Sequence, residues 1–193
     1  MPTFGVQNKT VQSRVSPHKG FTLVEMIATL MIVAILALVA VPRFFERQDF
    51  DARIFFDQLQ AMLRYAQKIA IAQNRDVQVR LDGASIAFCF AAFGAGGSCS
   101  DPVPAPGGKN SGSTATLASC NNNGTWFCEA VPDGMSYAAA PAIQYFYFNA
   151  LGKPFYPADT VPVSTFSTLD LTLTGGDSVR HVYVEAETGY VHP

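Results

Sequence analysis

At 193 residues the chain has the size of one globular domain rather than two. Apolar residues make up 49% and charged residues 15%, with 13 basic against 15 acidic side chains. That balance excludes a disordered chain and gives no general electrostatic affinity for nucleic acid.

Residues 1–20 hold Lys9, Arg14 and Lys19 and no acidic side chain. From Phe21 to Val41 the chain is then apolar apart from one charge, Glu25. As a helix rising ~1.5 Å per residue this stretch is ~31 Å long, the thickness of a bilayer's hydrocarbon core. It is too long for a secretory signal core and ends in Pro42-Arg43, so it reads as a membrane span. The basic leader keeps the N-terminal end in the cytoplasm, and the remainder is expected outside, in an oxidising compartment. Cys89, Cys99, Cys120 and Cys128 all fall on that outer side, an even number as disulfide pairing requires.

A carboxylate within a span costs a few kcal/mol, roughly, so Glu25 needs a partner, a task or a route to the headgroups. Its surroundings, Lys19-Gly20-Phe21-Thr22-Leu23-Val24-Glu25, resemble the processing site of type IV prepilins and type II secretion pseudopilins. The resemblance rests on the basic leader, Gly20, an aromatic first mature residue, a Glu at the fifth mature position, the apolar helix and Pro42. It implies a pilin-like α+β fold in which a long N-terminal helix packs on an antiparallel β-sheet head with disulfides. It also implies cleavage between Gly20 and Phe21 by a prepilin peptidase, N-methylation of Phe21, and filament assembly with other pilin or pseudopilin subunits on an inner-membrane platform. In such filaments the Glu25 carboxylate would neutralise the freed amine of a neighbouring subunit, which removes the burial penalty of both charges. A contact between the Phe21 amine and Glu25 of the same chain is the competing geometry.

Past Pro42 the pattern becomes one-sided. Phe55, Leu59, Met62, Ala66, Ile69 and Ala70 recur every three or four residues, and Asp57, Gln60, Arg64, Gln67 and Lys68 take the other faces. This amphipathic half, residues 43–75, ends near Gln73-Asn74. Pro42 and a capping Asp49 allow a kink or short break between residues 42 and 49.

In the head, residues 76–193, the period changes to two. Val77, Val79 and Leu81 alternate with Gln78 and Arg80, and after the turn at Asp82-Gly83 a second strand carries Ile86, Phe88 and Phe90. Further strands are expected at 143–148, 166–174 and 179–185, the last two joined through Gly175-Gly176-Asp177. A helix followed by antiparallel strands is an α+β arrangement with the helix covering one face. Residues 94–113 contain six Gly, three Pro and four Ser, the composition of a mobile surface loop. Four cysteines allow three connectivities; the expected one is local, Cys89 to Cys99 and Cys120 to Cys128, the latter closing a hairpin around Gly124.

The phrases Tyr147-Phe148-Asn149-Ala150-Leu151-Gly152-Lys153-Pro154 and Val184-Glu185-Ala186-Glu187-Thr188-Gly189-Tyr190-Val191 resemble those of H-type minor pseudopilins and related minor pilins. The four cysteines and the stretch from Asp51 to Lys68 incline the resemblance towards minor pilins of the mannose-sensitive haemagglutinin type. The type II secretion pseudopilin is the alternative. An uncleaved bitopic membrane protein with a periplasmic binding or hydrolytic domain is the alternative of another class.

No catalytic constellation, cofactor or metal set emerges. There is no C-x-x-C, and neither His181 nor His192 stands at a zinc-ligand spacing from the cysteines. Gly107-Gly108-Lys109-Asn110 lacks the first glycine and the final Ser or Thr of a phosphate loop. From Leu81 onward three basic residues, Lys109, Lys153 and Arg180, face nine acidic ones, so a DNA-binding head is not expected.

Overall fold

The computed structural model describes residues 21–193, without the side chains of 38–49. Two compact units divide the chain, Met1–Pro42 and Arg43–Pro193. Helix α1 (Leu23–Gln73) carries residues of both, and its helical backbone continues from residue 42 to residue 49 without the break the sequence allows there. Its C-terminal end is set by Asn74 in the left-handed region at φ 49°.

The buried stripe of α1 follows the 3.6-residue period. Phe55, Leu59, Met62, Ala66 and Ala70 are buried as expected, joined by Phe56 and Leu63. Together they form one core with residues from two antiparallel sheets rather than a single one. The first sheet contains β1 (Val77–Leu81), β2 (Ser85–Cys89), β3 (Cys128–Ala130), β5 (Tyr145–Phe148) and β6 (Pro154–Phe155) in the order β3-β2-β1-β5-β6. The second contains β4 (Met135–Ala140), β7 (Leu169–Gly175), β8 (Ser178–Val184) and β9 (Val191–His192) in the order β4-β7-β8-β9. β7 and β8 form a hairpin around Gly176-Asp177, with Gly175 opposite Ser178. Leu169, Leu171, Val182 and Val184 face the core from this sheet. Tyr137 on β4 ties the sheets together: its hydroxyl donates to Ser85 O at 2.8 Å and accepts from Gly83 N at 3.0 Å.

Three expectations need correction. Alternation along β1 sets Arg80 opposite the apolar face, towards solvent, yet Arg80 is 4% exposed, and in β2 every residue is buried. The cause is the segment that follows, which folds back over the outer face of β1 and β2, so this part of the first sheet is covered on both sides. For the same reason residues 94–113 are not simply a surface loop. Val103 and Ala105 are buried, and Val103 bonds Phe88 and Phe127 while Ala105 bonds Thr125. Lastly, Cys120 to Cys128 does not enclose a hairpin. It closes the turns after a short helix, α2 (Thr114–Ser119), with Asn121 and Asn122 both at φ 54°.

Both disulfides have the expected local pairing, Cys89 with Cys99 and Cys120 with Cys128, and no described cysteine is free. They flank a second small core of Ala87, Cys120, Trp126 and Cys128. Arg80 lies beside it. Its Nη1 donates to Gly97 O at 2.6 Å and its Nη2 to Ser85 Oγ at 2.7 Å and Ser119 O at 3.2 Å. Nε stands 3.1 Å from Asp82 Oδ2, a distance for an ion pair, although the angle misses hydrogen-bond geometry. The Phe93 and Trp126 rings lie 5.6 Å from the guanidinium carbon.

Candidate functional site

The N-terminal end of α1 carries the residues expected to matter for processing and assembly. Gly20 lies outside the described residues, and so does the side chain of Pro42. Phe21 is 81% exposed and precedes the helix. Thr22 occupies the N-cap position: its Oγ1 accepts from Glu25 N at 3.2 Å, and its carbonyl accepts from Met26 N at 3.1 Å. Thr22-Leu23-Val24-Glu25 is thus the Ser/Thr-x-x-Glu sequence of a capping box, with Glu25 in the third helical position. A carboxylate in the first turn is also favoured by the helix dipole. Only the Thr22 half of that box is made; sequence analysis missed this cap, and the spacing of Thr22 and Glu25 is the signal that could have found it. Among the described residues the Glu25 carboxylate has no ion-pair or hydrogen-bond partner.

Beyond that cap the apolar helix is unpartnered. Leu23, Val24, Met26, Ile27, Leu30, Met31, Ile32, Val33, Ile35 and Leu36 are all exposed, around the whole circumference rather than along one stripe. Water is a poor environment for such a surface, which demands lipid or other helices. Among the described residues no helix is long and apolar enough to cross a membrane. The expected span, 21–41, runs into residues whose side chains lie outside the described set.

In the other unit, the two head phrases singled out in the sequence meet at α1. Gln67 Nε2 donates to Gly152 O at 3.0 Å and to Thr188 O at 2.8 Å, and Arg64 Nε donates to Val191 O at 3.0 Å. Lys153 Nζ and Glu187 Oε2 pair at 2.7 Å across the same junction. Asn149 closes the first phrase on itself by accepting from Leu151 N and Lys153 N. Sequence reading places Gln67 and Arg64 on the polar face of the helix. Their task there is to satisfy loop carbonyls that would otherwise lose water without replacement.

Among the described residues two further polar clusters stand out. Asp170 and Thr172 both address the same nitrogen of His181, Nδ1, at 3.0 Å and 3.4 Å. A nucleophilic triad needs acid and nucleophile on opposite ring nitrogens. A cleft of about 410 Å³ is lined by Gln58, Ser111, Thr114, Glu129 and Asp133. Its buried carboxylate, Glu129, is already satisfied by Ser111 N at 2.7 Å and Thr116 Oγ1 at 3.1 Å. No group of three or more His, Cys, Asp or Glu side chains among the described residues could hold a metal ion.

Known proteins resemble this chain at its N-terminal segment and beyond it. Residues 16–41 match the family described as the prokaryotic N-terminal methylation motif. The chain is 33% identical over 115 residues to the type IV narrow pilus major component PilA5 of Thermus thermophilus, covering 60% of this chain and 82% of that protein. Two crystal forms of the type IV minor pilin FimU of Pseudomonas aeruginosa align at 16% identity with TM-scores of 0.48 and 0.46. The first alignment covers 77% of this chain and 90% of FimU, the second 70% and 86%. With a methylation motif across the start of α1 and a pilin relative matched over most of its length, the chain belongs to the type IV pilin family.

Proposed function

We propose that this chain is a minor pilin, a structural or assembly-priming subunit of a type IV pilus of the mannose-sensitive haemagglutinin type. In this reading prepilin peptidase cuts between Gly20 and Phe21, and Phe21 becomes N-methylated. The apolar half of α1 holds the subunit in the inner membrane as a single span with the head in the periplasm, until the assembly platform moves it into the filament. The observation that carries the reading is the fully exposed apolar surface from Leu23 to Leu36, interrupted by the single charge of Glu25. A bilayer and a bundle of like helices both cover such a surface, so the same segment serves before and after assembly. Glu25 then meets the freed amine of a neighbouring Phe21, and each charge relieves the other's desolvation.

Intact mass of the protein from its native cells tests this. Loss of residues 1–20 with one methyl group on the new N-terminus is the expected result, and Gly20→Val is expected to retain the leader. A mature protein that still begins at Met1 would sink the reading in favour of an uncleaved bitopic protein with a periplasmic domain. The secretion pseudopilin alternative is separated by deletion: loss of surface pili supports the pilus subunit, and loss of protein secretion with pili intact supports the pseudopilin.

A further inference from the structure

Four rings stand in a row across the outer face of the second sheet. Neighbouring centroids are 5.9 Å apart from His181 to Tyr183, 5.4 Å from Tyr183 to His192 and 5.4 Å from His192 to Tyr190, with interplanar angles of 9°, 30° and 21°. His192 is therefore sandwiched between two tyrosines. Its Nε2 lies 2.9 Å from Glu185 Oε1 and its Nδ1 lies 2.9 Å from the carbonyl oxygen of Pro193. Both partners only accept, and a neutral imidazole has one N–H to give. Only the imidazolium satisfies both bonds, and it gains more than the neutral ring from the two flanking ring faces.

The backbone around His192 is otherwise held by Val191, buried in the core, and by few strand bonds. β9 is two residues long, paired to β8 at Tyr183 with His192 and Val184 with Val191. The intervening turn is closed by Glu185 N to Tyr190 O at 3.0 Å and Gly189 N to Glu185 O at 2.8 Å. That turn and β9 supply the carbonyls of Thr188 and Val191 that Gln67 and Arg64 of α1 bind. We propose that protonated His192 is a latch that tightens β9 and the turn from Glu185 to Tyr190 against α1, and that its deprotonation loosens the turn while Val191 stays in the core.

The groups facing His192 are Glu185 at the end of β8, Tyr183 on β8, Tyr190 in the turn, the Pro193 oxygen, and Arg64 on α1, whose positive charge opposes protonation. The balance favours the cation. The His192 pKa is raised above 6.5, chiefly by the hydrogen bond to Glu185 and then by that to Pro193. Glu185, further anchored by Thr168 at 3.1 Å, is held below its ordinary value of 4.5 chiefly by the same His192 bond. The histidine's contribution is complete below pH 6.5 and is lost as pH rises through its higher folded value. The glutamate's contribution is present above pH 4.5 and is lost as pH falls through its lower folded value. The latch is closed between these limits, and it stands whether or not the chain is built into a filament.

Amide hydrogen exchange on the full chain in detergent micelles, from about pH 5.5 to about pH 9, reads the latch directly. The protection factor of the Glu185 amide, relative to amides within the β7–β8 hairpin, should fall roughly three- to tenfold as His192 titrates. In His192→Phe, which keeps the stack and has no proton to lose, the ratio should be flat. A flat profile in the wild type, or the same fall in His192→Phe, overturns the proposal. Glu185→Gln provides an independent reading by nuclear magnetic resonance: the His192 ring should titrate at lower pH than in the wild type, and an unchanged midpoint overturns the pairing.

Discussion

Gly189 and Gly152 meet backbone to backbone: a Cβ on Gly189 would run into the carbonyl oxygen of Gly152. The same Cβ would stand 2.8 Å from Gln67 Nε2 and 3.1 Å from a ring carbon of Phe148. Two loops 37 residues apart in sequence are thereby pressed onto one glutamine of α1. Gly189 also has φ at +66°, so its replacement meets both a backbone penalty and a collision. Gly189→Ala is expected to lower stability by more than about 2 kcal/mol in urea unfolding of the full chain. Gly83→Ala is the control, with φ at +83° and open space around it, and should lose only about 1 kcal/mol. Equal losses at the two positions would refute the close approach.

Arg80 is the buried charge on which the disulfide-flanked region converges. It reaches Gly97 within the loop closed by Cys89 and Cys99, Ser85 and Asp82 at the first turn, and Ser119 at the end of α2. Arg80→Met removes the donor and leaves these acceptors and the Asp82 charge without it, a loss of about 3 kcal/mol or more. Arg80→Lys keeps the charge but not the planar fork, and its loss should be intermediate. Chemical denaturation without reductant measures both, and a Met variant within about 0.5 kcal/mol of wild type would remove Arg80 from this role.

How far the sequence discloses this fold depends on what carries each element. The α1 stripe and β1, β2, β7 and β8 follow from hydrophobic period, because each has one face against the core over five residues or more. β3, β6 and β9 have two or three residues, too few to show a period, and β4 is rich in alanine. Pro102, Pro104 and Pro106 read as loop, yet they alternate with Val103 and Ala105, whose N–H groups make the bonds, so no proline is asked for a donor. The burial of Arg80 depends on the segment after β2, from Phe93 to Trp126, which local alternation does not record. At the candidate site, the Gly20 to Glu25 motif was legible as sequence. The seating of the two head phrases on Gln67 was not, since it is made of backbone carbonyls that any residue supplies.

Tyr137 joins the two sheets through one hydroxyl, which both donates to Ser85 O and accepts from Gly83 N. Tyr137→Phe leaves the buried Ser85 carbonyl unpaired and takes a partner from the exposed Gly83 N–H, and should cost about 1 to 3 kcal/mol at neutral pH. Burial is also the main reason that the phenol is pushed far above its ordinary value of 10.0. A group raised in this way stabilises the fold fully below pH 10.0 and progressively less as pH rises above it. The difference between wild type and Tyr137→Phe should therefore narrow in alkaline unfolding experiments. A difference that widens above pH 10 would contradict the burial of this phenol.

Thr22 and Glu25 allow local capping to be separated from charge pairing between subunits. As a capping-box residue, Glu25 is replaceable by Gln, which reaches back to the N-cap equally well. As the partner of a neighbouring amine, it is not replaceable, because Gln leaves that amine buried and unpaired, a loss of about 3 to 5 kcal/mol. Thr22→Ala does the reverse, removing the cap for about 0.5 to 2 kcal/mol and sparing the carboxylate. Membrane insertion should persist in both variants, since neither shortens the apolar segment. The amount of subunit in sheared filaments, compared with the membrane fraction, should then fall at least tenfold in Glu25→Gln, and only modestly in Thr22→Ala. Near-normal incorporation of Glu25→Gln, with loss in Thr22→Ala, would assign Glu25 to the helix start alone and remove the intersubunit pairing from the proposed function.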